Sequence, residues 1–319
     1  MSGIKIFSNT PAKMLAKEIC EILRTDHAKQ VVKRFADGEI FAKADEGIRS
    51  SDAFLVVSLQ TPSENRDEMR LLAESIRSSC AKRLIIVVTY MGYNRQDRRS
   101  ESHMPIGALM VFRDICESRP DHVMTLDAHS EQSLIAFRSL GIVFDNLFAS
   151  YILFPKMQSM FQGNGFVIAS PDKGGGGRAM WYYKHMGLND YTMFAKQRPA
   201  PGEIDRDRIK IIGDVSDKDV VFPDDMIDSA KTIVNDAKVA KEAGAKDIYV
   251  FATHGLFSNG AIERIEKSPI KKVVVTNSVN IPEEEIAKST KIERISIAPL
   301  LAEAIQRFHN KKSFKTLYI

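Results

Sequence analysis

Between Val220 and Thr232 an apolar run ends in two adjacent carboxylates, Asp224 and Asp225, followed closely by Asp228, Ser229, Ala230, Lys231 and Thr232. Carboxylates at a strand end accept hydrogen bonds from two neighbouring sugar hydroxyls. A turn into a helix offers backbone N–H groups and hydroxyls to a phosphate at the helix's positive end. In this order the residues describe a cradle for a phosphorylated pentose. A plainer reading makes Asp228 and Ser229 helix caps and the Asp pair a solvated turn.

Other residue groups carry chemistry of a matching kind. Asp127 and His129 stand two apart at the end of an apolar strand, a spacing that turns both side chains to one side and lets an imidazole and a carboxylate meet a divalent ion, although a lone D-x-H is more often a buried, hydrogen-bonded histidine. Asp172 is a second carboxylate for such an ion, and the glycines Gly174 to Gly177 after it, followed by Arg178, let backbone approach an anion closely. This is not a Walker A loop, whose order of glycines, lysine and hydroxyl is absent. Arg95, Gln96 and Asp97 follow a strand and suit a loop that offers Arg to phosphate and a polar group to a base, with an ordinary charged surface loop as the equal alternative. Phe35 with Asp37 and Glu39 offers a ring and carboxylates to the same base, although an aromatic beside a turn is also an ordinary core residue. Lys196 and Arg198 precede Pro199-Ala200-Pro201-Gly202, a context for a mobile loop whose two cations suit the charge of transferred phosphoryl groups, although a solvated lysine and arginine are the default reading of such a pair.

Strands must deliver these groups. Short β-branched runs recur at Ile4–Phe7, Phe54–Leu59, Leu84–Val88, Val123–Leu126, Phe166–Ala169, Val220–Phe222, Ile248–Phe251 and Val273–Val275. Such continuous apolar runs read as strands buried on both faces. Helical periodicity fills many intervals, as at Pro11–Leu23, Glu68–Ile76, Ile106–Ile115 and Ile233–Ala243, the first opened by a Thr10 cap and a proline. Strand, helix, strand is the rhythm of parallel α/β sheets, whose ligands gather at the carboxyl ends of the strands.

The 319 residues suit two domains. The expected division is 1–148 and 149–305, the junction falling within Phe144–Pro155. Apolar residues make up 44% and charged residues 27%, the composition of a folded globular protein rather than a disordered chain or a coiled-coil rod. Forty-five basic against 41 acidic residues leave +4, too little for a general nucleic-acid sleeve. Cys20, Cys80 and Cys116 lack disulfide or zinc spacing. No apolar run reaches the roughly 18 residues of a membrane span, and no signal-peptide layout opens the chain. A soluble cytoplasmic protein is expected, with no nucleic-acid or membrane partner.

The acidic turn resembles the sugar-phosphate loop of phosphoribosyltransferases and, more closely, of ribose-phosphate pyrophosphokinases (PRPP synthetases). That resemblance extends through Arg34–Glu39, Tyr93–Arg98, Thr125–His129, Ser170–Gly175, Lys196–Arg198, Thr253–Gly255 and Ile297–Ile305, nearly the whole chain. It implies two similar phosphoribosyltransferase-like α/β domains, each a mainly parallel sheet flanked by helices, with 1–148 on the ATP side, 149–305 on the pentose side, 306–319 packing back on the first, and the site between them. It also implies an enzyme that moves pyrophosphate from Mg-ATP to ribose 5-phosphate, and a homo-oligomer, dimer or hexamer. The resemblance assigns Lys196 and Arg198 to catalysis, and Phe35, Asp37, Glu39, Arg95, Gln96 and Asp97 to ATP. His129 and Asp172 go to Mg²⁺, and Asp224, Asp225, Asp228, Ser229, Ala230, Lys231 and Thr232 to ribose 5-phosphate.

The departures are specific. Lys231 stands where the family usually has glycine, Ser229 where it has threonine and Pro223 where it has an aliphatic residue. Glu101–Met104 lacks an arginine common near the family's regulatory phosphate site, and Leu109 replaces a usual lysine, so phosphate activation and nucleotide inhibition are not carried over. Lys231 and Pro223 also motivate an alternative, a non-catalytic relative that binds nucleotide and regulates an active enzyme. A phosphoribosyltransferase that consumes PRPP would leave the ATP-side motifs unexplained.

Overall fold

All eight β-branched runs form strands, because side chains apolar on both faces are buried only in a sheet covered on both sides. The computed structural model describes residues 3–129, 131–163, 165–171, 174–196 and 209–318. The chain divides into two compact units. The first runs to Tyr151 and takes in Ser278–Asn280 and the chain from Ser296 on; the second comprises Ile152–Asn277 and Ile281–Ile295.

In the first unit, β1 (Ile4–Ser8) is followed by a separate antiparallel hairpin of β2 (Gln30–Arg34) and β3 (Ile40–Ala44). Then come β4 (Asp52–Ser58), β5 (Arg83–Tyr90), β6 (His122–Leu126) and β7 (Phe144–Leu147). The sheet has the order β1-β4-β5-β6-β7 and is parallel throughout. The helices α1 (Lys13–Leu23), α2 (Glu64–Ser78), α3 (Gly107–Glu117) and α4 (Glu131–Ser139) supply crossovers. The apolar stripe of α1, Leu15, Ala16, Ile19, Cys20 and Leu23, is buried, and each large aliphatic side chain so covered contributes about 1.5–3 kcal/mol. Asn9, not the expected Thr10, caps the turn that opens this helix, accepting from the Ala12 amide at 3.3 Å. Thr10 is engaged elsewhere: its amide and hydroxyl donate to the Glu68 carboxylate at 2.6 and 3.0 Å.

The second unit begins with most of α5 (Ser150–Met160) and continues through β8 (Phe166–Ser170), α6 (Gly176–His185), β9 (Tyr191–Lys196) and β10 (Ile209–Ile212). β11 (Asp219–Ile227), α7 (Lys231–Glu242), β12 (Ile248–Gly255), α8 (Ala261–Glu266), β13 (Ile270–Thr276), α9 (Glu283–Ile286) and β14 (Ile292–Ile295) follow. Its sheet, β10-β9-β8-β11-β12-β13-β14, is parallel except at the β9–β10 edge. Phe194 and Phe222 meet edge-on in its core, with ring centres 5.0 Å apart.

The chain then returns to the first unit as α10 (Ala298–His309), which packs against α1. His309 Nδ1 lies 2.7 Å from the Asp52 carboxylate, which also accepts two bonds from Arg83, at 2.8 and 2.5 Å. Farther on, the Tyr318 hydroxyl donates to Asp145 at 2.7 Å, while His122 bonds the other carboxylate oxygen at 2.8 Å.

Candidate functional site

The acidic signature lies at the carboxyl end of β11. Pairing with β12 keeps this strand extended to Ile227, with Asp224 opposite Ala252 and Ile227 opposite Gly255. The two aspartates are therefore strand residues rather than part of a turn. Asp225 is 9% exposed, and its amide donates to the Asp224 carboxylate at 2.9 Å. Burial, reinforced by the charge of Asp225 and a hydrogen bond with it, pushes the Asp224 carboxyl well above the ordinary carboxylate range. Opposing it are the positive charge of Arg178, in the first turn of α6, and the hydrogen bond from the Asp225 amide. The glycine run that opens α6 thus brings a cation to bear on the carboxylate pair.

After Ile227 the chain makes a short turn into α7. Its N-cap is Ala230, in the left-handed region at φ 58°, and that position carries no side-chain cap. Neither Asp228 nor Ser229 is the N-cap, which sets aside the plainer reading of these residues. Lys231 begins the helix with an exposed side chain, and Thr232 is half-buried. A neighbouring loop grips the turn from behind. The Ile227 carbonyl accepts from the amides of Leu256 and Phe257 at 2.8 and 3.2 Å, and the Asp228 carbonyl from Ser258 at 3.1 Å. The Ser229 carbonyl accepts from the Arg264 guanidinium, which also donates to the Asn259 carbonyl at 3.1 Å. Arg264 had no signal in the sequence, because it lies 35 residues from its partner.

Lys196 is the last residue of β9, its backbone opposite Ile209 of β10. Its side chain, Arg198 and Asp172 lie outside the described residues.

In the first unit, Phe35, Asp37 and Glu39 occupy the exposed tip of the β2–β3 hairpin. The tip is closed by the Phe35 amide on the Glu39 carbonyl at 2.8 Å and the Glu39 amide on the Asp37 carboxylate at 3.0 Å. Phe35 is 49% exposed and meets Phe41 edge-on at 5.9 Å, with the Lys33 ammonium 6.0 Å from its ring centre. Arg95, Gln96 and Asp97 lie on the loop between β5 and α3. The Gln96 carbonyl accepts from Ala108 at 3.2 Å, and its side chain lies against Gly107 at the start of α3.

Asp127 and His129 do not share a face. The strand ends at Leu126, Asp127 turns to φ 40°, and alternation ceases there. Asp127 is 2% exposed, and its carboxylate accepts from the Ala149 amide at 2.8 Å, while His129 is exposed. Asp127 thus secures the β7–α5 turn, leaving His129 as the outward group. Among the described residues no three His, Cys, Asp or Glu side chains gather as a metal cage, and no helix is long and apolar enough to cross a membrane.

Residues 4–118 match the family described as the N-terminal domain of ribose phosphate pyrophosphokinase, and residues 186–319 match the phosphoribosyl synthetase-associated domain. Two α/β units of phosphoribosyl-synthetase type therefore make up the chain. It is 36% identical over 317 residues to a ribose-phosphate pyrophosphokinase of Bradyrhizobium diazoefficiens, covering 99% of this chain and 98% of the relative. With the enzyme of that name from Agrobacterium fabrum it shares 36% identity over 316 residues, 99% of this chain and all of the relative. The crystal structure of phosphoribosylpyrophosphate synthetase from Mycobacterium smegmatis superposes with a TM-score of 0.89 at 27% identity, covering 97% of this chain and 100% of that one. The chain belongs to the ribose-phosphate pyrophosphokinase family.

Proposed function

We propose that the protein is a ribose-phosphate diphosphokinase, which transfers the β,γ-pyrophosphoryl group of Mg-ATP to the C1 hydroxyl of ribose 5-phosphate and yields PRPP and AMP. The observation that carries this reading is the end of β11, where a half-buried Asp224 and a buried Asp225 lead through a left-handed Ala230 into α7. Asp224 and Asp225 take the ribose hydroxyls. Asp228, Ser229, Ala230, Lys231 and Thr232 supply amides, hydroxyls and one cation to the 5-phosphate.

In the transfer the C1 oxygen bonds to the β-phosphorus and the bond from that phosphorus to the α,β-bridging oxygen breaks. AMP leaves with the electron pair, and the hydroxyl proton is lost. Positioning and charge neutralisation account for such chemistry, and no protein nucleophile is needed. Lys196 and Arg198 take the charge on the transferred oxygens. Phe35, Asp37, Glu39, Arg95, Gln96 and Asp97 hold ATP, a role that suits the exposed ring at the hairpin tip.

The donor chemistry fits Mg²⁺. Asp224 and Asp225 crowd two carboxylates in a poorly solvated place, a conflict that a hard cation relieves, and His129 presents an exposed imidazole. We assign His129 and Asp172 to the ion that accompanies the nucleotide, with the Asp224–Asp225 pair facing a second. When bound, the ion neutralises phosphate oxygens.

Two observations weigh against the non-catalytic alternative. Lys231 points to solvent instead of filling the turn. Pro223 is buried in β11 opposite Phe251, past Val221, the last residue paired with β8, so its missing N–H breaks no bond to that strand. Release of AMP from ATP and Mg²⁺ that depends on added ribose 5-phosphate is the expected result; pure protein that releases none overturns the reading. A homo-oligomer, dimer or hexamer, accompanies it and is checked by gel filtration.

A further inference from the structure

We propose that Arg264 is a positioning residue for the pentose phosphate, acting from behind the turn to keep its amides aimed at the anion. This rests on the reading of that turn given above and deepens it. Three successive carbonyls, those of Ile227, Asp228 and Ser229, are held from one side by the stretch from Leu256 to Arg264. A trans peptide unit carries its C=O and the next N–H on opposite sides. Fixing these carbonyls on one side therefore turns the amides of Asp228, Ser229 and Ala230 to the other, the arrangement of an anion-binding nest.

The three grips are not equivalent. Main-chain amides hold the carbonyls of Ile227 and Asp228, which almost any sequence would supply. A side chain holds the third, and the peptide unit it holds leads into Ala230, whose left-handed conformation an alanine adopts only at a cost. The gripping loop is itself tightly wound, with Phe257, Asn259 and Gly260 at φ 51°, 52° and 72°. By donating to both Ser229 and Asn259, the guanidinium ties the turn to the loop with one planar fork. A lysine ammonium lacks that fork.

Arg264→Ala and Arg264→Lys, compared with the unaltered full-length chain, test the assignment. In Arg264→Ala the KM for ribose 5-phosphate should rise about ten- to a hundredfold, the loss of one charge-assisted hydrogen bond. The KM for ATP and kcat should stay within about twofold, well inside a single hydrogen bond's worth. Arg264→Lys should fall between, and guanidinium ion should restore part of the loss in Arg264→Ala. Calorimetric titration with inorganic phosphate should show the same order of affinities. An unchanged KM for the sugar phosphate in a folded variant, or equal losses for both substrates, overturns the inference. If Arg264→Ala does not fold, Arg264→Lys decides alone. A wild-type chain without sugar-dependent AMP release overturns the functional reading instead, and the phosphate titration still decides whether Arg264 governs the turn.

Discussion

The amide of Asp225 donates to the carboxylate of Asp224 at 2.9 Å, binding two acidic neighbours whose charges repel. Burial, and then that repulsion, outweigh the amide bond and favour the protonated Asp224 carboxyl in the folded state, so its contribution to stability is lost as pH rises from the ordinary carboxylate range through the raised pKa. In the ligand-free protein at neutral pH, Asp224→Asn should raise Tm by about 2 °C or more while weakening ribose 5-phosphate binding at least about tenfold. Differential scanning calorimetry and ligand titration measure the two effects; a lower Tm contradicts the proposed repulsion.

Lys231 adds an exposed cation to the first turn of α7. If that charge serves the phosphate, Lys231→Gly should raise the KM for ribose 5-phosphate about two- to fivefold at low salt, and added salt should shrink the difference. A KM that falls instead would mean the side chain obstructs the turn.

The main strands were legible because their residues are apolar on both faces, as in β4 and β5. The edges were not. β10 alternates half-buried and exposed positions, and the β2–β3 hairpin mixes Gln30, Lys33 and Arg34 with its valines, so neither stands out as an apolar run. At the candidate site, residue types pointed to the β11 turn, but backbone conformation was hidden. Nothing local announces that Asp127 rotates inward to an amide 22 residues away, or that Ala230, rather than Asp228 or Ser229, takes the cap position.

Gly255 lies where a Cβ would come within 2.6 Å of the Phe257 ring and 3.2 Å of Val275. Gly255→Ala should destabilise the protein by about 1–3 kcal/mol and raise the KM for the sugar phosphate more than that for ATP. Urea unfolding with parallel kinetics checks both.

The Ser8 hydroxyl and the His27 Nε2 are 3.0 Å apart. Burial, followed by the charges of Lys13 and Lys17, lowers the His27 pKa from its ordinary value. This stability is fully present above about pH 6.5 and is lost as pH falls from there through the lowered pKa. Wild type should lose more Tm than His27→Gln between about pH 7.5 and 5.5, and parallel curves would exclude the effect.

Asp52 and Asp145 both anchor the end of the chain. Burial works to raise each carboxyl, but hydrogen bonds outweigh it and hold both below the usual range, from Arg83 and His309 for Asp52 and from His122 and Tyr318 for Asp145. Their contribution is present above about pH 4 and lost as pH falls through the depressed values. At neutral pH, Asp52→Asn should cost about 2 kcal/mol or more, because it breaks a buried pair. Tyr318→Phe, at an exposed ring, should cost less than about 1 kcal/mol. Chemical denaturation ranks the two variants.

Because α10 completes the unit that β1 belongs to, synthesis from the N-terminal side leaves α1 uncovered and Asp52 without its imidazole until α10 has been made. The first unit is thus completed only after the second has been made, and the second is free to fold in the interval. A recombinant fragment stopped at Tyr151 would lack that lid and should be recovered only when the segment from Ser296 onward is supplied beside it.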